Sequence, residues 1–235
     1  MEHIVAQGLS RRYGTGHTAV DALLDVSFSI NSGEFVAVMG ESGAGKSTLL
    51  SLLGAMNPPT SGRYVVDGID VYGLPSEKRA DFRREYLGFV FQSQNLVPYL
   101  TLAENVMLPL AVVKESSRKK REMARAALER VGLEDLGHRL PDEVSGGECG
   151  RAAIARAVVN QPPVILADEP TGSLDSATGT RIMKLLADLN GQGSTIIMVT
   201  HSEASAEYAN RLIRIVDGRL ARSAHSPKAG VLLVC

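Results

Sequence analysis

Short apolar runs rich in β-branched residues alternate with longer stretches of helical spacing, the pattern of a sheet whose parallel strands are joined by crossover helices. Six runs predict strands: Val26–Ile30, Glu34–Met39, Leu87–Phe91, Val164–Asp168, Thr195–Thr200 and Arg211–Val216. Val164–Ala167 and Ile196–Val199 are apolar without interruption, whereas a strand with one wet face alternates. These two are expected at the centre of the sheet, covered on both faces. From Gln92 to Gln161 the spacing turns helical. Within it Ala124, Ala127, Leu128 and Val131 fall at i, i+3, i+4 and i+7, predicting a helix over Ser117–Val131 with Ser117 as N-cap and Gly132 as its stop. The expected architecture is an α/β core carrying a helical insertion.

At 235 residues the chain suits one large α/β domain or two small ones. Its 25 Lys and Arg against 26 Asp and Glu lack the basic excess by which proteins grip phosphate backbones, so no nucleic-acid partner is expected. Cys149 and Cys235 lie far apart and in no metal-ligand spacing, which implies neither a disulfide framework nor a zinc site. Met1–Arg12 mixes polar and apolar residues where a cleavable signal would be continuously apolar. No apolar run approaches the ~20 residues that span a bilayer. Any membrane role is therefore expected from the cytosolic side, through another chain. The basic segments Arg118–Arg121 and Lys78–Arg84 read as solvated helix faces. The apolar tail Gly230–Cys235 reads as a segment that packs on the surface or frays.

The chemistry-bearing positions sit at the ends of predicted strands. Gly40-Glu41-Ser42-Gly43-Ala44-Gly45-Lys46-Ser47 fits the phosphate-loop pattern, and lies between the strand Glu34–Met39 and a helical run from Ser47 to Leu53, as that mechanism requires. Glycines let the backbone wrap closely around phosphate oxygens, successive N–H groups point inward, and the helix start adds a favourable dipole. Lys46 then supplies charge to the β and γ phosphates, and the Ser47 hydroxyl can ligate Mg²⁺; Thr48 follows in the same turn.

Val164–Asp168 ends in a pair of carboxylates, Asp168 and Glu169. Buried carboxylates are costly alone, so the pair implies a cation or a bound water to engage. Asp168 is read as the magnesium-side acid and Glu169 as the general base that orients the attacking water, with an acid-rich helix start as the alternative for Glu169 alone. His201 follows the strand Thr195–Thr200, again at a carboxyl end, where open α/β sheets bind ligands. Val144-Ser145-Gly146-Gly147-Glu148 leads into a helical run to Val159 and forms a second anion-binding helix start. Ser145 and Glu148 equally have the spacing of a capping box. A second anion site in one chain points to use by another copy.

With these residues in view, the chain resembles the ATP-binding cassette family over nearly its whole length. The motifs that carry the likeness are Tyr13, the phosphate loop, Gln92, Ser145-Gly146-Gly147, Asp168-Glu169, Ser173-Leu174-Asp175 and His201, in that order. The resemblance implies one P-loop NTPase domain with a RecA-like core lobe (about 1–92 and 161–223), a small antiparallel β region, a helical subdomain (about 93–160) and a tail at 224–235. It implies adenine stacking on Tyr13, Gln92 as a linker that also reaches the metal, Asp175 in a dimer-contacting loop, and His201 as the switch histidine. ATP and Mg²⁺ are the expected ligands. The expected partners are a second copy, head to tail across the nucleotides, and a transmembrane permease, with the chain peripheral on the cytoplasmic face of the inner membrane.

Leu87–Pro98 followed by Thr101-Leu102-Ala103-Glu104-Asn105-Val106 is similar to the lipoprotein-releasing and macrolide-export ATPases. The rival readings are a non-transport cassette ATPase acting on DNA or ribosomes and a regulatory scaffold of the cell-division type. A GTPase is disfavoured because there is no Asn-Lys-x-Asp segment. Cys149-Gly150 departs from the family's usual pair of long polar residues. Glycine there is expected to loosen the helix by up to ~1 kcal/mol; the cysteine reads as a neutral substitution, with a thiol of lowered pKa near the helix start, suited to a redox brake, as the alternative.

Overall fold

In chain order the strands and helices of the computed structural model are β1 (Glu2–Tyr13), β2 (Val20–Asn31), β3 (Phe35–Met39), α1 (Lys46–Leu53), β4 (Ser61–Val66), β5 (Ile69–Asp70), α2 (Ser76–Tyr86), β6 (Leu87–Val90) and α3 (Leu102–Met107). They continue with α4 (Ser117–Arg130), α5 (Gly146–Val158), β7 (Val164–Asp168), α6 (Ser176–Gly191), β8 (Thr195–Val199), α7 (Glu203–Ala206), β9 (Arg211–Val216), β10 (Arg219–Leu220) and β11 (Leu232–Leu233). The structure describes residues 2–221 and the backbone of 232–233.

The main sheet runs β10-β9-β3-β8-β7-β6, with β11 added in parallel to β9. The pairs β9/β3, β3/β8, β8/β7 and β7/β6 are all parallel. The two uninterrupted apolar strands, β7 and β8, lie side by side inside it, as their composition predicts. Alternate residues serve two cores. Val36, Val38, Leu166, Ile197 and Val199 pack with α1 and the second sheet, while Phe35, Ala37, Ile165, Ala167, Ile196 and Met198 pack with α5, α6 and the helical insertion. Removing a buried side chain such as Leu128 to alanine would cost about 2–5 kcal/mol.

The second sheet, β2-β1-β4-β5, is antiparallel. Val26–Ile30 is only part of β2, and belongs to this sheet rather than to the parallel one. β1 and β4 escape a search for alternation because β1 shifts register near Gly8 on both its edges, which breaks the period of two. The other predicted strands stand within a residue of the observed ends.

In the insertion, α3 packs on α4 and α5. The cap of α4 is corrected by one position: the Ser116 hydroxyl, not Ser117, accepts the Lys119 N–H. Gly132, at φ 66°, stops that helix as predicted. Gly150 does not interrupt α5. It is buried in a continuous helix, where a Cβ would meet Ile182 and Leu174 at ordinary contact distance. The apolar tail predicted from Gly230 lies outside the described residues except for β11. No helix among the described residues is long and apolar enough to cross a membrane.

Candidate nucleotide site

The loop from β3 to α1 is built by backbone geometry. Gly45 caps α1 at φ 104°, and a Cβ there would fall 2.3 Å from the Ala22 carbonyl, so no other residue fits without moving β2. The Lys46 ammonium reaches back to the carbonyls of Gly40, at 2.9 Å, and Glu41, at 2.8 Å. An ammonium has three donors, so one remains for an anion in the loop's mouth. Gly40, Glu41 and Ala44 do not line the cavity that the loop faces, and Ala44 accepts the Gly218 N–H at 3.0 Å. Ser42, Gly43, Gly45, Lys46, Ser47 and Thr48 face a cavity of about 370 Å³.

Across that cavity stand Gln92, Asp168, Glu169 and His201. Asp168 ends β7 half-buried. Burial pushes its carboxyl up, Glu169 adds to the effect, and the Lys46 ammonium opposes it. Glu169 leaves the strand at φ 46°, a rare conformation for a residue with a Cβ. Its Oε1 lies 2.8 Å from His201 Nδ1, and its Oε2 accepts the Thr200 hydroxyl at 3.2 Å. Gln92 is held from below: its carbonyl accepts the Ser173 hydroxyl at 3.0 Å, and Gly172 leaves room for its amide, which a Cβ would approach to 2.9 Å. Arg156 of α5 donates to the carbonyls of Gln94 and Asn95 and so ties the following loop to the insertion.

Other predicted positions lie elsewhere. Tyr13, at the end of β1, is exposed with the Arg11 guanidinium 4.6 Å from its ring centre, outside the cavity wall. Asp175 caps α6 by accepting the Thr178 N–H at 3.0 Å, and the Thr178 side chain, then this N–H, hold its carboxyl below the usual range. It lines a neighbouring cavity of about 530 Å³ that shares Glu169 and His201 with the first. Ser145 caps α5, is exposed, and does not reach the phosphate loop.

The capping box anticipated for Ser145 is present. Glu148 Oε2 accepts both the Ser145 N–H, at 2.7 Å, and its hydroxyl, at 2.8 Å, and these bonds hold the Glu148 carboxyl low. A Cβ on Gly147 would lie 2.6 Å from Thr178 Cγ2, whereas one on Gly146 would meet nothing within 4 Å. The lowered pKa offered as the alternative for Cys149 is reversed: burial, then Glu148, pushes the thiol up, and its Sγ lies 3.3 Å from the Pro141 carbonyl. A raised thiol is not a reactive one.

The residues facing the cavity fit a magnesium triphosphate. A hydroxyl from Ser47, a carboxylate from Asp168 and an amide oxygen from Gln92 are the hard oxygen donors magnesium prefers, with room left for phosphate and water. A Cβ on Gly43 would meet nothing within 4 Å. Sequence reading missed Ala22, Thr200 and Arg156, and named Ser173 only as part of a dimer-contacting loop, not as a partner of Gln92. Their contributions are a carbonyl, a hydroxyl and long-range clamps, none of which has a local pattern.

The family model described as "ABC transporter" matches residues 23–172. The chain is 43% identical over 235 residues to the macrolide export ATP-binding/permease protein MacB of Sodalis glossinidius, covering 99% of this chain and 36% of that protein. It is 43% identical to the uncharacterized ABC transporter ATP-binding protein YvrO of Bacillus subtilis, covering 92% of this chain and 95% of that one. It thus spans about a third of the MacB relatives and nearly all of YvrO. A dimeric structure of the ATP-binding cassette MJ0796, in a post-hydrolysis state with ADP and Pi, superposes with a TM-score of 0.85 at 41% identity, over 93% of this chain and 97% of that one. On fold, motif geometry and relatedness together, the chain belongs to the ABC transporter family and carries its ATPase domain.

Proposed function

We propose that this chain binds ATP with magnesium between two of its copies, hydrolyses it, and uses the resulting closing and opening to drive a membrane permease, in a system of the macrolide-export or lipoprotein-release type. The observation that carries the reading is the pair Asp168 and Glu169 at the end of β7, facing Lys46 and Ser47 across a cavity of nucleotide-phosphate size.

Lys46 and the loop N–H groups bind the β and γ phosphates. Ser47, Asp168 and Gln92 would hold magnesium, which spreads charge away from the triphosphate oxygens when bound. Glu169 accepts a proton from the water that attacks the γ phosphorus; the bond to the β–γ bridging oxygen breaks, leaving ADP and phosphate. His201 leaves Glu169 Oε1 to meet the γ phosphate. Tyr13 stacks the adenine after Arg11 swings aside. The exposed start of α5 at Ser145, with the open side of Gly146, serves the triphosphate held by a facing copy, and Asp175 lies in the loop between them. The dimeric ADP- and Pi-bound cassette of similar fold supports that pairing.

Support for a permease comes from a second concavity of about 660 Å³ beside the Gln92 loop. Met56, Phe89, Phe91, Leu108 and Val112 line it, three of them exposed apolar side chains, and Arg156 joins it to the carbonyls of Gln94 and Asn95. A helix end seated there would move the loop that carries Gln92. With the macrolide-export relatives, this favours a chain working on the cytoplasmic face of the inner membrane.

The test is Glu169→Gln. Steady-state phosphate release should fall about a hundredfold or more, while light scattering with Mg-ATP finds a stable dimer. Turnover near the parent rate, or a monomer under saturating ATP, would refute the reading.

A further inference from the structure

The two oxygens of Glu169 are held by neighbours of opposite character. His201, on Oε1, has a side chain 70% exposed and lies between the two cavities. Thr200, on Oε2, is fully buried and fixed on every side. Its N–H donates to Val38 of β3 at 3.1 Å, and Glu169 N–H donates to Val199, one residue before it, at 2.9 Å. The Thr200 hydroxyl accepts the Ser202 N–H at 3.1 Å. A carboxylate oxygen accepts, so the hydroxyl's own hydrogen goes to Glu169 Oε2. The chain Ser202 N–H, Thr200 O–H, Glu169 Oε2 therefore has one direction.

At positive φ the backbone of Glu169 has left the pleat that sets side-chain direction along a strand, so the carboxylate takes its aim from such contacts. We propose that Thr200 is a positioning residue for Glu169: it pins Oε2 to the end of β8 and so presents Oε1 to the attacking water once His201 lets go. His201 exchanges partners during the cycle; Thr200 does not. This rests on the reading of Glu169 as base.

The experiment compares Thr200→Val, which keeps the shape and removes the donor, with Thr200→Ser, which keeps the donor, in the full chain. Thr200→Val should lower kcat on the order of tenfold or more, with KM for ATP and ATP affinity within about twofold of the parent. Thr200→Ser should stay within about threefold of the parent kcat. In a Glu169→Gln background the valine change should bring no further loss. If Thr200→Val does not fold, Thr200→Cys, of similar volume and a poor donor, should give the same split.

Parent-like kcat in Thr200→Val with an inactive Glu169→Gln overturns the inference and leaves the base in place. An active Glu169→Gln sinks both. Equal losses in the valine and serine variants, or a loss of ATP affinity, would make Thr200 merely structural and overturn the proposal.

Discussion

The loop before α1 and the start of α5 are both glycine-bearing helix beginnings, and each has free space beside one glycine. They differ in what surrounds them. Around the first, the fold brings Gln92, Asp168, Glu169 and His201 to the far wall of one cavity, and Lys46 is already tethered to the loop it serves. Around the second, the Ser145 hydroxyl bonds to its own Glu148, a Cβ on Gly147 would press against Thr178, and the side of Gly146 is open. One site is assembled within the chain; the other is capped and exposed, and in the proposed reading it serves a facing copy. Similar local geometry thus has two meanings, decided by what the rest of the chain supplies.

The comparison breaks most readily at Lys46. Lys46→Ala should weaken ATP binding about 10- to 100-fold, the loss of a charged hydrogen bond worth about 1.5–3 kcal/mol, measured by equilibrium dialysis. Unchanged affinity would mean that the first region is not a phosphate cradle.

The second region is sharpened by its two glycines. Gly147→Ala should destabilise the monomer by about 1 kcal/mol through overpacking on Thr178. Gly146→Ala should leave denaturant stability unchanged or raise it by less than ~1 kcal/mol, yet weaken the ATP-dependent dimer of the Glu169→Gln chain. If Gly146→Ala dimerises as before, no partner closes on that face.

A smaller effect is expected at Asp168. Its folded pKa lies above its unfolded value, so protonation favours the folded chain, and the penalty for carrying the charge is present above that folded value and absent below both. Asp168→Asn should therefore raise the nucleotide-free melting midpoint at neutral pH by about 1–2 °C, while impairing Mg-ATP binding. A lowered midpoint would show that Lys46 outweighs the burial. The smallest effect is at Cys149: with its thiol pushed up, Cys149→Ser should leave the peroxide sensitivity of ATP turnover unchanged. A changed sensitivity would restore the redox brake.

The site was legible wherever its chemistry is written in adjacent residues. The glycines and Lys46 follow β3 directly, and Asp168 and Glu169 end a run of four apolar residues, so a short window holds both the residues and their structural setting. The central strands were legible because both faces are covered and apolarity needs no partner to be seen. β1 was not, since its register shifts are answered by β2 and β4 rather than by its own sequence. Thr200 looked like the end of a strand. Only its hydrogen bond to a residue 31 positions earlier gives it a place beside Glu169, the proposed base.

What the amino-acid order determined alone was therefore local: the phosphate loop, the carboxylate pair, the cap at Ser145 with its answering Glu148, and the alternation of apolar strands with helices. These depend on bonds and spacings of a few residues, which chain connectivity enforces in any fold. Tertiary structure decided which oxygen of Glu169 meets Thr200 and which meets His201, why Gly147 is confined and Gly146 open, and that burial against the rest of the fold pushes the Cys149 thiol up. Those outcomes depend on distance, desolvation and packing between segments remote in the chain, and no window of sequence contains both partners.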